Sequence, residues 1–584
     1  MCIIGIAWSH DGTLTVFRDG ENVFSIGEER LNRVKSYVGF PFQALRYVVE
    51  KKIVNPSEVE AIVMDNMSGF KKSNSRGYAF ELTENKKYYD IQNDKKPSDF
   101  YIDDKYIKGI KNCESYVRKK LALLFNKVGI YAPIYFSKHH SNHAASAFYT
   151  SGFSDAIAIT MDGEGHGESA TVSICKNGRI RKISSTNIEN SAGNLYSAVT
   201  KKCGFKISRH EGKITGLAAY GDYTKSEECF NSIAKVVDGK FQNVDYKKYS
   251  IKNRFLKKIS NTFGIDYFIG AGEIVSRCGK LSKEDMSAAI QHLLEKRIVE
   301  IVDFWIKKTG IKTVVLSGGV FANVKFNQCI SEIDSIDNLY IYPDMGDGGN
   351  AFGAAANYYY KTNTFIPKKT KIKNTYYGPE FSNEDIKKIL RNVSNEVEFY
   401  LSKDISLEAA QLLSQNKIVG WFQGRMECGP RSLGNRSIIA SPIDSTINQW
   451  LNDRMKRNEF MPFAPSCLYE YADDLFYIPK ESMKFPAQFM TITFKMKKKW
   501  AKKAPAVAHV DQTARPQLVT KEANPKYHEL LSRYYELTGL PLFINTSFNV
   551  HEEPIICTPE EAIKPLLSGV IDNLCIGDYI CKLK

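Results

Sequence analysis

A chain of 584 residues is too long for one ordinary hydrophobic core and predicts two or more domains. Its 43% hydrophobic and 25% charged residues are those of a globular protein, and no run of about eighteen apolar residues offers a membrane span. The formal net charge of +15 fits a nucleic-acid partner, anionic ligands or a solvated lysine surface. The excess sits in short runs, KKTKIK (368–373) and KMKKKWAKK (495–503), with no zinc-finger or RNP-type pattern beside them, which ranks nucleic acid below phosphate ligands. Twelve cysteines without a Cys-x-x-Cys pair predict free thiols in a reducing compartment. The opening MCIIGIAWSHDG has no basic leader and predicts a cytoplasmic chain with no membrane partner.

In chain order, residues 2–26 predict strand, SHDG loop, strand, an Asp19-Gly20 turn and strand. The polar stretch 66–110 predicts a surface excursion. SKHHSNHAASAF (137–148) predicts a helix that carries His139 and His143 on one face, four residues apart, a spacing that can chelate a transition metal. His140 is an alternative to His139. Residues 155–183 repeat the first pattern, with MDGEGHGE as the loop and Asn177-Gly178 as the turn, so a duplicated α/β unit with a nucleotide between its halves is expected. Two more strand–glycine turn–helix units follow, at Gly318-Gly319 and at Asp347-Gly348-Gly349, each a ready anion site at a helix N-terminus. Asp162 and Asp347 can complete a shell with the two histidines, suited to Fe, Mn or Zn rather than Ca, and His166 is a further candidate.

The basic, proline-containing segment 361–380 predicts a domain boundary, giving units at 1–370 and 380–584. The second unit gathers Arg425, Arg431, Arg436, Lys456, Arg457 and Arg515, whose charges suit phosphate oxygens. His509, Asp511, Thr513 and Arg515 share one compact polar loop. Asn545, Thr546, Ser547 and Asn549 end an apolar strand and can hydrogen-bond a small planar group such as carbamate.

The segments SHDG (9–12), EERLNRVK (28–35), HHSNHAASAF (139–148), MDGEG (161–165), EGKITGLAAYG (211–221), LSGGVFAN (316–323), MGDGG (345–349), GRMECGPRSLGNRSI (424–438), MPFAPS (461–466), HVDQTAR (509–515) and NTSFN (545–549) stand in this order. Together they resemble the O-carbamoyltransferases related to nodulation protein U and to the cephamycin and tobramycin carbamoyltransferases. The resemblance implies a duplicated actin/sugar-kinase/Hsp70-like first domain, similar to the tRNA threonylcarbamoylation enzymes, and a YrdC-like α/β second domain. It implies ATP, accompanied by Mg, and a divalent transition metal, iron first. It also implies carbamoyl phosphate as donor and a hydroxyl of a small molecule or sugar as acceptor, by way of carbamoyl adenylate.

Carried onto this chain, the metal ligands are His139, His143, Asp162 and Asp347. Gly318, Gly319 and Asn323 fall at the nucleotide turn beside Asp162 and Gly163. His10 falls near the acceptor hydroxyl, as a base. Arg515, Ser547 and Asn549 hold carbamoyl phosphate, with Arg431, His509 and Asn545 beside them. Lys456 and Arg457 stand where relatives carry Lys-x-Arg, and which of them, or Arg454, takes which phosphate is left open. Two other readings compete. A tRNA threonylcarbamoyladenosine-type enzyme is opposed by the fused second unit, and a metal-dependent ATPase without transfer chemistry is opposed by the HVDQTAR and NTSFN sets.

Overall fold

The computed structural model describes residues 1–8, 10–66, 113–243, 280–363, 371–455, 461–550 and 552–584. The predicted excursion, from residue 67 on, lies outside them, as do Lys456 and Arg457.

The first apolar run becomes a sheet of β1 (Cys2–Ala7), β2 (Thr13–Arg18), β3 (Glu21–Gly27), β4 (Val59–Asn66) and β5 (Ile134–Lys138), in the order β3-β2-β1-β4-β5. The first three strands form an antiparallel meander, while β4 and β5 join parallel to β1. A second sheet uses β6 (Asp155–Gly165), β7 (Glu168–Lys176) and β8 (Arg179–Asn187) as its meander. A small hairpin of β9 (Ala234–Val237) and β10 (Lys240–Asn243) intervenes; β11 (Thr313–Ser317) and β12 (Asn338–Ile341) then join parallel to β6. Its order, β12-β11-β6-β7-β8, is that of the first sheet, so the two halves share one topology. Both meanders close as predicted: Asp19-Gly20 and Asn177-Gly178 have positive φ at both residues, the twist a two-residue hairpin requires.

Strand alternation places the site. Ile4, Ile6, Ile62 and Met64 face an outer core, while Ile3, Ala61 and Val63 face the space between the sheets. On β6, Ala156 and Ala158 face that same space, and Ile157, Ile159 and Met161 face away. The inner faces are lined by small residues. Two alanine-rich helices, His139–Ser151 and Asn350–Thr362, therefore pack against each other between the sheets. A Cβ on Gly5 of β1 would lie 2.0 Å from the carbonyl oxygen of Ala351, which shows how closely the second helix approaches.

Beyond residue 371 lies one eight-stranded sheet. Its strands are β13 (Val397–Leu401), β14 (Val419–Phe422), β15 (Arg436–Ala440), β16 (Ala464–Leu468), β20 (Gln517–Val519), β21 (Leu542–Ser547), β22 (Asn573–Ile576) and β23 (Tyr579–Leu583). They run in the order β13-β23-β22-β14-β15-β21-β16-β20. β17 (Phe476–Tyr477), β18 (Phe494–Met496) and β19 (Thr513–Ala514) form a separate small sheet. All three large regions are α/β with mixed sheets. Arginines tie the regions together through backbone carbonyls: Arg30 to Gly429, Arg33 to Pro554 and Ile555, and Arg425 to Val23. No helix among the described residues is long and apolar enough to cross a membrane. Nine cysteines are free thiols among the described residues, whereas Cys229 is disulfide-bonded, against the expectation of free thiols throughout.

Candidate functional site

His139 opens its helix directly after β5, and His143 lies one turn on; both are fully buried. β6 leaves its ladder with β7 after Met161 and regains it at Gly165, which frees Asp162 to turn inward. Asp347 opens the short turn before the helix Asn350–Thr362. One ligand atom from each of the four lies within 4.8 Å of all the others. The two Nε2 atoms are 3.2 Å apart, Asp162 Oδ2 is 3.2 Å from His143 and 3.8 Å from His139, and Asp347 Oδ1 is 3.7 and 3.6 Å from them. Ligands at about 2.1 Å from a tetrahedral ion would be spaced by about 3.4 Å, so this donor set fits a transition metal. His140 is excluded from it: Nδ1 bonds Thr160 Oγ1 at 2.8 Å and Nε2 donates to the Glu168 carbonyl at 3.1 Å. Burial and its two neighbouring histidines push His140 down to about 3, so it stays neutral. His166 also lies outside the cluster.

The aspartates differ. Burial would raise the Asp162 carboxyl, but hydrogen bonds and charge from His139 and His143 hold it well below the usual range. Asp347 is raised by burial and by the Asp162 charge, despite the histidines. His10, next in the first loop, bonds Asp11 Oδ2 through Nδ1 at 2.8 Å. The Asp11 charge, opposed by burial and assisted by Asp347 and Asp162, pushes His10 up to about 10. His10 therefore shares the electrostatic field of the four-residue centre.

The glycine turn lies against the same centre. Gly319 N donates to Asp162 Oδ2 at 3.1 Å, and Gly163 N to Asp162 Oδ1 at 2.7 Å. Gly318 has φ +109°, and a Cβ there would lie 2.1 Å from the Met161 carbonyl oxygen. Gly318→Ala is expected to cost about 1–3 kcal/mol of stability from backbone strain alone, measured as a lower thermal midpoint. An unchanged midpoint would show that the turn relaxes freely. Asn323 is committed internally: Oδ1 caps the helix Val324–Ser331, and Nδ2 donates to Thr215 and Gln291. The Gly318-Gly319 turn thus exposes backbone, while the Asn323 amide is tied to its own helix and neighbours.

In the C-terminal region the arginine set divides. Arg436 is fully buried, donates to the carbonyls of Gln423, Asn435, Pro379 and Gly424, and lies 3.7 Å over the Phe422 ring. Arg425 donates to Val23, Tyr377 and Gly378. Both are structural, which corrects the reading of them as phosphate ligands. Asn545 Nδ2 donates to the Ser432 carbonyl, Ser466 and Gln517, and its Oδ1 is buried without a partner among the described residues. Ser547 donates to Asn549 Oδ1 at 2.6 Å, and Asn549 Nδ2 donates to the Glu553 carbonyl. His509 Nδ1 faces Asp511 Oδ1 at 3.4 Å, while its Nε2 is buried and unpartnered among the described residues. Asp511 also takes Lys325 Nζ at 3.0 Å, a contact from the glycine-turn helix. Lys456 and Arg457 lie outside the described residues.

Residues 2–356 match the family of the carbamoyltransferase N-terminus, and residues 410–582 that of the carbamoyltransferase C-terminus. The chain belongs to the carbamoyltransferase family. It is a transferase, similar over 99% of its length to an uncharacterised protein of Methanocaldococcus jannaschii (32% identity, 99% of that protein). It is also similar to nodulation protein NolNO of Sinorhizobium fredii (29% identity, 98% of this chain, 79% of that protein) and to nodulation protein U of Rhizobium tropici (26%, 94% and 91%). Among solved structures it is similar to component A of (R)-2-hydroxyglutaryl-CoA dehydratase of Acidaminococcus fermentans, with 15% identity and a TM-score of 0.33 over 62% of this chain and 98% of that one. Full-length HypF in its phosphate- and nucleotide-bound form gives 14% identity and a TM-score of 0.30 over 62% and 47%.

Within this carbamoyltransferase, sequence reasoning missed the groups behind the histidines. His139 Nδ1 donates to Asp65 Oδ2 at 2.9 Å, His143 Nδ1 meets Ser317 Oγ at 3.0 Å, and Asn350 Nδ2 lies 3.1 Å from both rings. The one available signal was an aspartate closing the apolar strand VEAIVMDN.

Proposed function

We propose that this carbamoyltransferase is ATP-dependent and moves the carbamoyl group of carbamoyl phosphate, via carbamoyl adenylate, to a hydroxyl of a natural product or sugar. Residues 1–370 act as the transfer unit, with an actin/sugar-kinase/Hsp70-like fold, and residues 380–584 as a YrdC-like unit that makes the adenylate. The observation that carries this reading is the convergence of His139, His143, Asp162 and Asp347 beside the Gly318-Gly319 turn. A bound divalent cation, iron in first place, would polarise the adenylate and oppose the carboxylate field that keeps His10 protonated.

Water first cleaves carbamoyl phosphate; phosphate departs with the bond electrons and leaves carbamate. Arg515 and Ser547 stabilise the departing charge, with Arg431, Lys456 and Arg457 as further cations. A carbamate oxygen then attacks the α-phosphorus of ATP, which enters with Mg, and pyrophosphate leaves. The orphaned Asn545 Oδ1 and His509 Nε2 are buried polar atoms of the kind a bound ligand satisfies. The acceptor oxygen finally attacks the adenylate carbonyl, AMP leaves, and His10 takes the acceptor proton. The adenylate is prone to hydrolysis, so a site closed to water suits it.

The test is nucleotide turnover without acceptor. Pyrophosphate and AMP are expected to form from ATP only when carbamoyl phosphate is present. Formation of ADP, or AMP formation indifferent to carbamoyl phosphate, would overturn the adenylate route.

A further inference from the structure

Asp65 lies at the penultimate position of β4 in the first sheet, and its carboxylate reaches a centre whose ligands come from both halves: His139 and His143 from the helix after β5, Asp162 and Asp347 from the second. It is fully buried, and both oxygens are committed: Oδ2 accepts from His139 Nδ1 at 2.9 Å and Oδ1 from Asn142 Nδ2 at 2.7 Å. Trp8 Nε1 holds its backbone carbonyl at 2.7 Å. No lysine or arginine pairs with it among the described residues; its only ion-pair partner there is His139. A carboxylate so desolvated is costly unless its charge is answered, and here that answer comes through one imidazole. His143 is backed differently, by the neutral hydroxyl of Ser317 at 3.0 Å.

The difference matters because His139 has a competing arrangement. Its Nε2 stands 3.6 Å from Asp347 Oδ1 and 3.8 Å from Asp162 Oδ2. With the proton on Nε2 the ring would satisfy those aspartates itself and present no lone pair to a cation. Asp65 opposes this by claiming the proton on Nδ1, which turns the Nε2 lone pair toward Asp162, Asp347 and His143 and makes the ring a stronger donor.

We infer that Asp65 is the positioning residue of the metal centre: it fixes the His139 tautomer and so lets β4, which supplies no ligand itself, set the affinity of the site. This rests on the metal reading above. Asp65→Asn keeps a hydrogen-bonding side chain but removes the charge, Asp65→Ala removes both, and Ser317→Ala removes the neutral support of His143.

The experiment titrates the metal-stripped full chain with Co(II) against a competing chelator, following the Co(II) visible absorption, with the thermal midpoint of each stripped variant recorded. Affinity is expected to fall about 10-fold in Asp65→Asn and up to about 100-fold in Asp65→Ala, the range known for outer partners of ligating histidines, and less in Ser317→Ala. Wild-type protein that binds one Co(II), with both Asp65 variants binding as tightly, would overturn the inference and leave the metal centre standing. Wild-type protein that binds none would overturn both. Should Asp65→Ala fail to fold, Asp65→Asn decides by the same criterion.

Discussion

Asp347→Ala and His139→Ala are each expected to abolish carbamoyl transfer, by at least about 100-fold, since even the outer partners of metal-holding histidines cost 10–100-fold when removed. The two variants should differ in stability. Asp347 is a buried carboxylate pushed up by burial and by the like charge of Asp162, so its removal relieves the metal-free protein. His139 is the sole ion-pair partner of fully buried Asp65 among the described residues, so its removal strands a carboxylate, a change that costs about 3–5 kcal/mol when a buried pair is broken. Compared with metal-stripped wild-type protein, Asp347→Ala should therefore keep its thermal midpoint while His139→Ala loses several degrees, and elemental analysis of the proteins as purified should find the transition metal depleted in both. Full transfer by metal-stripped wild-type protein would refute the assignment.

Arg515→Ala is expected to lose pyrophosphate release, by about 10²–10³-fold, because on the proposed route it acts while phosphate departs and ATP reacts only with the carbamate left behind. His10→Asn should release phosphate and pyrophosphate at wild-type rates yet form about 10²–10⁴-fold less carbamoylated product, since a base is needed only when the acceptor hydroxyl attacks. His10 lies by the four-residue centre in the field of Asp347 and Asp162, whereas Arg515 follows the His509 loop, which contacts the glycine-turn helix through Asp511 and Lys325. Paired phosphate and pyrophosphate assays, with and without a hydroxylated acceptor, separate the steps. If His10→Asn blocks pyrophosphate release as fully as Arg515→Ala, the two residues share one step and the order of chemistry is wrong.

Local pattern made much of the first two sheets legible. Asp-Gly and Asn-Gly between alternating apolar residues marked both meanders, because a two-residue hairpin needs positive φ at residues that tolerate it. The four-residue centre was legible for a similar reason: a four-residue step on a helix places His139 and His143 on one face, and glycine turns after buried strands expose Asp162 and Asp347. The arginines were less legible. Arg425 and Arg436 stand in the same motif as Arg431, and no local pattern announces that their guanidinium groups bond three and four backbone carbonyls. No local pattern showed that Asn323, expected at the nucleotide turn, also caps a helix and joins Thr215 and Gln291.

By itself the sequence determined which residues form strands, turns and the histidine face, and the motif order that marks the family, since these depend on neighbours within a few positions. Only the tertiary structure decided that His139 and not His140 faces the aspartates, because Thr160 and the Glu168 carbonyl claim the His140 ring across the sheet. Only it brought Asp65 to His139, 74 residues away, because β4 and β5 pair in parallel and carry the end of one strand to the start of the next helix. Such contacts follow from strand register and from how closely two alanine-rich helices fit between sheets, quantities set by the packing of the whole unit and written in no single stretch of the chain.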